Sequence, residues 1–262
     1  MAIPRLANSD RSTDTRAALA KVPEVTLGFW LIKILATTLG ETGGDSVSMS
    51  MGLGYLEATV IFAAVFGIFV LAQVRARRFH PWLYWSTIVA TTTVGTTLAD
   101  FADRSLGIGY TGGASLLLAL VLLSLFVWRR VMGSVAVASV DNPKAEVFYW
   151  VTIMFSQTLG TALGDWTADS MGAGYIGAAA VFAGLLLAVG GCYFWSTIPR
   201  TALFWAAFIL TRPLGAALGD FLDKPAAAGG LAFSRYEASA ILLVCIASAV
   251  LVLPQRAARS AH

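Results

Sequence analysis

Four aspartates are the residues of this sequence best suited to chemistry, because they recur at the same place in an internal repeat. Asp45, Asp100, Asp165 and Asp220 are separated by 55, 65 and 55 residues. Oxygen ligands of this kind bind hard cations such as Mn²⁺, Mg²⁺ or Ca²⁺, and they can also bind Na⁺ or protons. A second interpretation stays open, in which the four carboxylates only cap helix ends or bond to turn amides.

Further polar side chains stand near the aspartates at helical spacing. The residues four positions before them are Glu41, Thr96, Thr161 and Ala216. Because residues four apart share a helix face, Glu41, Thr96 and Thr161 are candidate ion ligands together with the four aspartates. Asp100 and Asp165 have threonine-rich neighbourhoods, and we assign these two as the first candidates for a metal.

Two basic residues, Lys33 and Arg212, lie inside apolar segments. A cation within a membrane-spanning segment points to a function and needs a partner. We expect Glu41 to pair with Lys33 and Asp220 to pair with Arg212, so that the two cations act as a gate or as counter-charges. The alternative is that their long side chains extend toward the cytoplasmic interface.

The elements that hold these residues are predicted to be transmembrane helices. The chain has 262 residues, of which 57% are hydrophobic and 13% are charged, whereas soluble domains have about 25% charged residues. Eight apolar segments each come near the roughly 20 residues that a spanning helix needs. They cover residues 26–45, 54–74, 82–101, 111–131, 147–166, 174–194, 201–221 and 237–254. Because backbone groups in a bilayer must bond internally, the predicted fold class is all-α.

Other residues repeat in register with the aspartates. Tryptophans stand fifteen residues before them, each preceded by Phe or Tyr, and glycines stand five residues before them. The aromatic pairs are typical of the belt at a membrane interface, and the glycines let helices approach closely. Three repeats also contain Gly-x-Gly-Tyr, which predicts a turn with glycine at positive φ. The residues are Trp30, Trp85, Trp150 and Trp205, with Gly40, Gly95, Gly160 and Gly215.

The repeat divides the chain into four two-helix units. Residues 1–25 form a polar leader, residues 26–254 a single transmembrane domain, and residues 255–262 a tail. The repeats cover about 26–78, 79–133, 145–198 and 199–254. The longer step between the second and third aspartates indicates two halves, which run parallel because all the first helices point the same way.

Basic residues alternate between the two sides of the predicted membrane domain. One set of connections, with both termini, contains thirteen Lys and Arg residues, and the other set contains three. The positive-inside rule therefore places both termini in the cytoplasm. Since the basic residues flank apolar segments, the net charge of +3 indicates topology, and no nucleic-acid partner is expected. The two cysteines and two histidines form no cluster, so no cofactor or soft-metal site is expected.

The element Leu-Gly-x-x-x-Gly-Asp, with a tryptophan upstream, occurs at residues 159–165 and 214–220. In this it resembles a family of bacterial inner-membrane proteins that consist of four tandem two-helix repeats. The resemblance extends over nearly the whole chain after residue 25, and the fourth repeat departs from the pattern after Asp220. It implies the same architecture and a multi-pass location in the bacterial cytoplasmic membrane.

Two functions are compatible with these patterns. In the first, the protein transports a small inorganic cation across the lipid bilayer, with a divalent such as manganese as the first expectation. In the second, it is a non-transporting membrane scaffold or sensor whose acidic turns contact a partner. Enzymatic activity is not expected, because proteolysis by paired aspartates needs two carboxylates in distinct environments and a fourfold repeat singles out no pair.

Overall fold

The structure, a computed structural model, describes residues 21–258 and has eight long α-helices in this part of the chain. They are α1 (Leu27–Asp45), α2 (Tyr55–Arg75), α3 (Pro81–Asp100), α4 (Tyr110–Met132), α5 (Pro143–Asp165), α6 (Gly174–Trp195), α7 (Arg200–Asp223) and α8 (Arg235–Val252). The described residues contain no β-strand, which confirms the all-α fold. Most of the predicted leader and half of the predicted tail lie outside the described residues.

Local sequence explains where several helices begin. The side chains of Thr26, Asn142 and Ser234 accept hydrogen bonds from backbone amides in the first turns of α1, α5 and α8, as N-cap residues do. Pro81 and Pro143 open α3 and α5, where the missing amide hydrogen is not needed. A π-helical turn follows each of the first three repeated aspartates, at Ser46–Ser50, Phe101–Ser105 and Trp166–Ser170.

The Gly-x-Gly-Tyr elements form the turns between the two helices of the first three repeats, as predicted. Both glycines of each element have φ between 65° and 84°, a conformation that residues with a Cβ atom rarely adopt. These glycines are Gly52, Gly54, Gly107, Gly109, Gly172 and Gly174. The fourth repeat has no π-helical turn, and its loop bends at Gly229, where φ is 86°.

The first helices of the four repeats form a closed ring in which α1 and α5 each pack against both α3 and α7. The second helix of each repeat lies outside this ring and packs against the first helix of the next repeat. Thus α2 packs on α3, α4 on α5 and α6 on α7, while α8 returns to α1. The repeats are therefore arranged cyclically, and the last one is in direct contact with the first.

The repeated glycines allow the inner helices to approach each other closely, as predicted. At each of the four positions an added Cβ atom would clash with a residue of the next inner helix around the ring. The neighbour is always the residue eight positions before the next aspartate, so the same contact is made four times. The pairs are Gly40 with Thr92, Gly95 with Gln157, Gly160 with Arg212 and Gly215 with Thr37.

The repeated aromatic residues do not form the predicted belt at the membrane interface. Trp85, Trp150 and Trp205 are buried, because the aromatic residue before the tryptophan of one repeat packs on the tryptophan of the next. These eight residues, the aromatic layer, close the inner ring at the end opposite the aspartates. The ring-centroid distances are 5.5 Å for Phe29–Trp85, 5.8 Å for Tyr84–Trp150, 6.2 Å for Tyr149–Trp205 and 5.9 Å for Phe204–Trp30.

Five of the described helices, α2, α4, α6, α7 and α8, are long and apolar enough to cross a membrane. The outer helices α2, α4, α6 and α8 expose many large hydrophobic side chains, as expected where lipid is the surrounding solvent. The inner helices α1, α3 and α5 are less apolar because their buried faces carry threonines, carboxylates and a lysine. Most of the buried polar residues in the described part of the chain thus lie on the inner helices.

Candidate functional site

The four repeated aspartates lie at the carboxyl ends of the inner helices and are all buried. This aspartate ring consists of Asp45, Asp100, Asp165 and Asp220. Arg104 joins two of its members: its Nε atom is 2.8 Å from Oδ1 of Asp100, and its Nη2 atom is 3.3 Å from Oδ2 of Asp165. Among the described residues the four carboxylates pair with basic side chains and accept no hydrogen bond from a turn amide.

Lys224 joins the other two aspartates in the corresponding way. Its Nζ atom is 2.9 Å from Oδ2 of Asp45 and 2.9 Å from Oδ1 of Asp220. Glu41, one turn before Asp45, supplies a third carboxylate on this side of the ring. One oxygen from each of Glu41, Asp45 and Asp220 lies within 4.8 Å of the others. This spacing suits a shared hard cation, whose oxygen ligands lie at about 2.0–2.6 Å.

Each member of the aspartate ring interacts electrostatically with its neighbours on both sides. The interacting pairs are Asp45–Asp100, Asp100–Asp165, Asp165–Asp220 and Asp220–Asp45. Two basic residues, Arg104 and Lys224, bridge the four carboxylates, so the carboxylates outnumber the bridging cations by two. Buried charge of this kind is costly unless it is protonated, hydrated or bound to a cation. The ring can therefore bind cations or protons.

Arg212, fully buried on α7, contacts all three other inner helices one level below the aspartate ring. Its Nη2 atom is 3.0 Å from Oε2 of Glu41 on α1. The same nitrogen donates hydrogen bonds to the hydroxyl groups of Thr96 on α3 and Thr161 on α5. Its Nη1 atom donates to the carbonyl oxygen of Thr37 at 3.3 Å. The three predicted neighbours of the aspartates therefore surround one guanidinium group.

The predicted partners of the two buried cations are both wrong. Arg212 pairs with Glu41 instead of Asp220, because its side chain crosses to α1 and does not follow its own helix. Lys33 forms no ion pair with Glu41, and its Nζ atom has no hydrogen-bond partner among the described residues. That atom lies 4.1 Å from the centre of the Phe208 ring. Since Lys33 is fully buried, it does not extend to an interface either.

The two residues that bridge the aspartate ring, Arg104 and Lys224, are held in their charged forms by the carboxylates around them. Burial lowers the pKa of Arg104 and of Lys224, but the carboxylates that each one bridges outweigh this effect and raise the pKa above its ordinary value. Asp103 lies beside Arg104 in the connection after α3, and burial raises the pKa of its carboxyl against the opposing effect of the guanidinium.

Sequence analysis missed the bridging residues, although a signal for them exists. Arg104 and Lys224 each stand four residues after a repeated aspartate, the spacing of a helical ion pair. Arg235 was also missed: its Nε atom is 3.0 Å from Oδ2 of Asp223 and 3.6 Å from Oδ2 of Asp45. The assignment of Asp100 and Asp165 as metal ligands stays a prediction.

Together, the fold and the site define a class: a helical membrane protein whose four tandem two-helix repeats surround a buried, acidic interior. A family model described as Repeat of Unknown Function (DUF347) matches residues 28–79, 83–134, 148–198 and 203–256. The chain belongs to this family, and the match confirms the fourfold tandem repeat. Comparisons with curated proteins and with solved structures found no match.

Proposed function

We propose that the protein transports a small inorganic cation, with a divalent such as Mn²⁺ as the first candidate. The aspartate ring carries this proposal, because one buried carboxylate from each repeat meets the others and the four carboxylates outnumber the two basic residues that bridge them. Hard cations prefer such oxygen ligands. The carboxylates would take the place of water around the ion, and their protonation would release it.

The pair of Arg212 and Glu41 is the proposed gate. It lies directly below the aspartate ring and holds the four inner helices together. Deeper in the ring, the side-chain polar atoms of Thr152, Ser156 and Gln157 on α5 are buried without hydrogen-bond partners among the described residues. Groups of this kind favour a route for ions or protons, because buried polar atoms otherwise find partners. Opening the gate requires Arg212 to leave Glu41.

We further propose that all eight helices span the bacterial cytoplasmic membrane with both termini in the cytoplasm. The least apolar inner helices, α1, α3 and α5, have 19, 20 and 23 residues, which at 1.5 Å per residue is close to the roughly 30 Å of the hydrocarbon core. The backbone amide of Glu24 donates to the carbonyl oxygen of Arg256 at 2.8 Å. This contact supports placing both ends on one side, the side where the basic residues are concentrated.

Cation flux in proteoliposomes tests the transport proposal. The variants Asp100→Asn and Asp165→Asn each remove one negative charge from the aspartate ring, and each should reduce Mn²⁺ flux by about tenfold, which corresponds to 1.4 kcal/mol of interaction. Asp169→Asn is the matched control, because Asp169 is exposed one turn after Asp165. Flux that is unchanged in both ring variants would contradict the mechanism.

The alternative is a non-transporting scaffold or sensor. It is favoured by the observation that each aspartate has a basic partner, as in a static structural network. This function expects no cation-dependent flux in the wild-type protein, tolerance of both Asp→Asn substitutions, and co-purification of another protein.

A further inference from the structure

We propose that Glu41, Asp45 and Asp220 are the ligands of a divalent cation, and that the ammonium group of Lys224 occupies this site until the cation displaces it. The role of this site rests on the proposed transport function, but the site itself is tested by measuring how tightly the protein binds Mn²⁺. It makes Lys224 a built-in competitor of the transported ion.

The geometry of the three carboxylates supports a cation at this position. Their ligand oxygens lie within 4.8 Å of one another, and all three residues are buried. The ammonium of Lys224 already makes two contacts of 2.9 Å there. Asp45 is only 1% exposed, and its Oδ1 atom has no hydrogen-bond partner among the described residues. One acceptor at the site is therefore left for a ligand that Lys224 does not reach.

The fourth repeat is built differently from the others at the residues that hold Lys224. Lys224 follows α7 directly in an extended conformation, where the other repeats have a π-helical turn. The loop then folds back, and the amide of Ala232 donates to the carbonyl oxygen of Lys224 at 3.0 Å. A Cβ atom on Gly230 would clash with the same oxygen. The departure of this repeat from Gly-x-Gly-Tyr thus fixes the lysine against the carboxylates.

Charge balance favours a divalent ion over a monovalent one. The three carboxylates face Lys224 and Arg212, which leaves one negative charge. Arg235 also lies 3.6 Å from Oδ2 of Asp45, but Asp223, at 3.0 Å, balances its charge. A divalent ion in place of the ammonium makes the cluster neutral, whereas a monovalent ion leaves its net charge of −1 unchanged. Neutral clusters are preferred at buried positions.

The other half of the aspartate ring lacks the third carboxylate. Asp100 and Asp165 are bridged by Arg104, but the residues one turn before them are Thr96 and Thr161, whose hydroxyl groups contact Arg212. The two halves are therefore unequal, because only the half with Glu41 offers three carboxylates to a metal ion. Because the ammonium of Lys224 lies 2.9 Å from carboxylate oxygens of both Asp45 and Asp220, a cation that binds there must displace it.

Mn²⁺ binding to the purified full-length protein in detergent tests the inference by calorimetry. Lys224→Met should lower the Kd for Mn²⁺ by about tenfold or more, and adding Asp45→Asn should remove that gain. Arg104→Met is the matched control, since it removes a bridging cation from a pair without a third carboxylate. Its gain should be less than about threefold. No gain in Lys224→Met, or an equal gain in Arg104→Met, would overturn the proposal.

A second experiment measures the rate of lysine modification in the wild-type protein, so it does not require any variant to fold. An amine-reactive reagent should modify Lys224 several-fold faster in saturating Mn²⁺ than in its absence, because the displaced side chain becomes accessible. Lys144, which is exposed, serves as the internal reference in the mass spectrum. A rate for Lys224 that does not respond to Mn²⁺ contradicts displacement.

These outcomes separate the site from the transport function. A gain in Lys224→Met without Mn²⁺ flux in proteoliposomes supports the site and contradicts transport. Flux without any gain supports transport and contradicts the site.

Discussion

Arg212 on α7 and Glu41 on α1 form a fully buried ion pair, with 3.0 Å between Nη2 and Oε2. The pair lies where the fourth repeat meets the first, so it joins two parts of the chain that are 171 residues apart. Both residues interrupt the symmetry of the repeat, because the equivalent positions in other repeats are threonine, glutamine or alanine. The ion pair therefore joins two charged residues that each occur at their position in only one repeat.

Removing one partner of this pair should be more damaging than removing both. Arg212→Met leaves the carboxylate of Glu41 buried and unpaired, which typically costs about 3–5 kcal/mol. The double variant with Glu41→Gln should regain part of that loss in thermal unfolding in detergent. Arg200→Met, at an exposed position, is the control and should change stability by less than about 1 kcal/mol. Equal loss in the single and double variants would show that Arg212 acts through packing alone.

A methyl group on an inner glycine should destabilise the fold, whereas the same change on an outer helix should not. In Gly95→Ala the new Cβ would lie 2.9 Å from the backbone of Gln157 on the adjacent helix, so the helices must separate, at a cost of about 1–3 kcal/mol. Gly67→Ala on α2 meets nothing within 4 Å and should stabilise the helix by roughly 0.5–1 kcal/mol. Thermal unfolding of both variants checks the difference in sign, and a similar loss in both would contradict the close approach.

Lys33→Ile should raise the melting temperature. The ammonium is buried without a hydrogen-bond partner among the described residues, and the contact with Phe208 offsets only part of the cost of desolvation. Isoleucine fills the equivalent positions of the second and third repeats, at Ile88 and Ile153. The reverse change, Ile88→Lys, should lower the melting temperature. A more stable Lys33→Ile variant with reduced cation flux would identify Lys33 as a residue kept for function, and a less stable one would contradict the prediction.

Asp103→Asn should stabilise the protein at pH 8 and have little effect near pH 4. Burial raises the pKa of Asp103 in the folded protein, so stability is lost as the pH rises from the unfolded pKa to the folded pKa, and the loss is complete above the folded pKa. Below the unfolded value of about 3.9 the carboxyl is neutral in both states, and the difference from asparagine disappears. Melting temperatures across this pH range test the sign. Asp169→Asn, at an exposed position, should leave the melting temperature unchanged throughout.

Much of the architecture could be predicted from the sequence because it depends on local spacing. Apolar length predicts each of the eight helices to within four residues at either end. The five-residue step from glycine to aspartate predicts the close contacts, and the glycine pairs predict the turns. These features are fixed by residues within one helix or one turn, so a single repeat contains the information for them.

The contacts around the ring could not be predicted, because they depend on how the repeats are ordered in space. The sequence places two aromatic residues side by side near each helix start, which predicts an interfacial belt. It does not show that Tyr84 packs on Trp150 of the next repeat. Arg212 has a nearer candidate partner in sequence, Asp220, than the one it uses. The spacing of Arg104 from Asp100 is that of a helical ion pair, but its second contact, with Asp165 of the next repeat, depends on the order of the helices in space.

The return of α8 to α1 has a consequence for how the molecule is made. Open arrays of repeats need special capping units at their ends, but here the final helix supplies the neighbour that the initial one lacks. During translation the outer surface of α1 stays uncovered until α8, the last helix, has been made. A circular permutant that begins with the second repeat would therefore retain every interhelical contact, whereas deletion of an inner helix would open the ring.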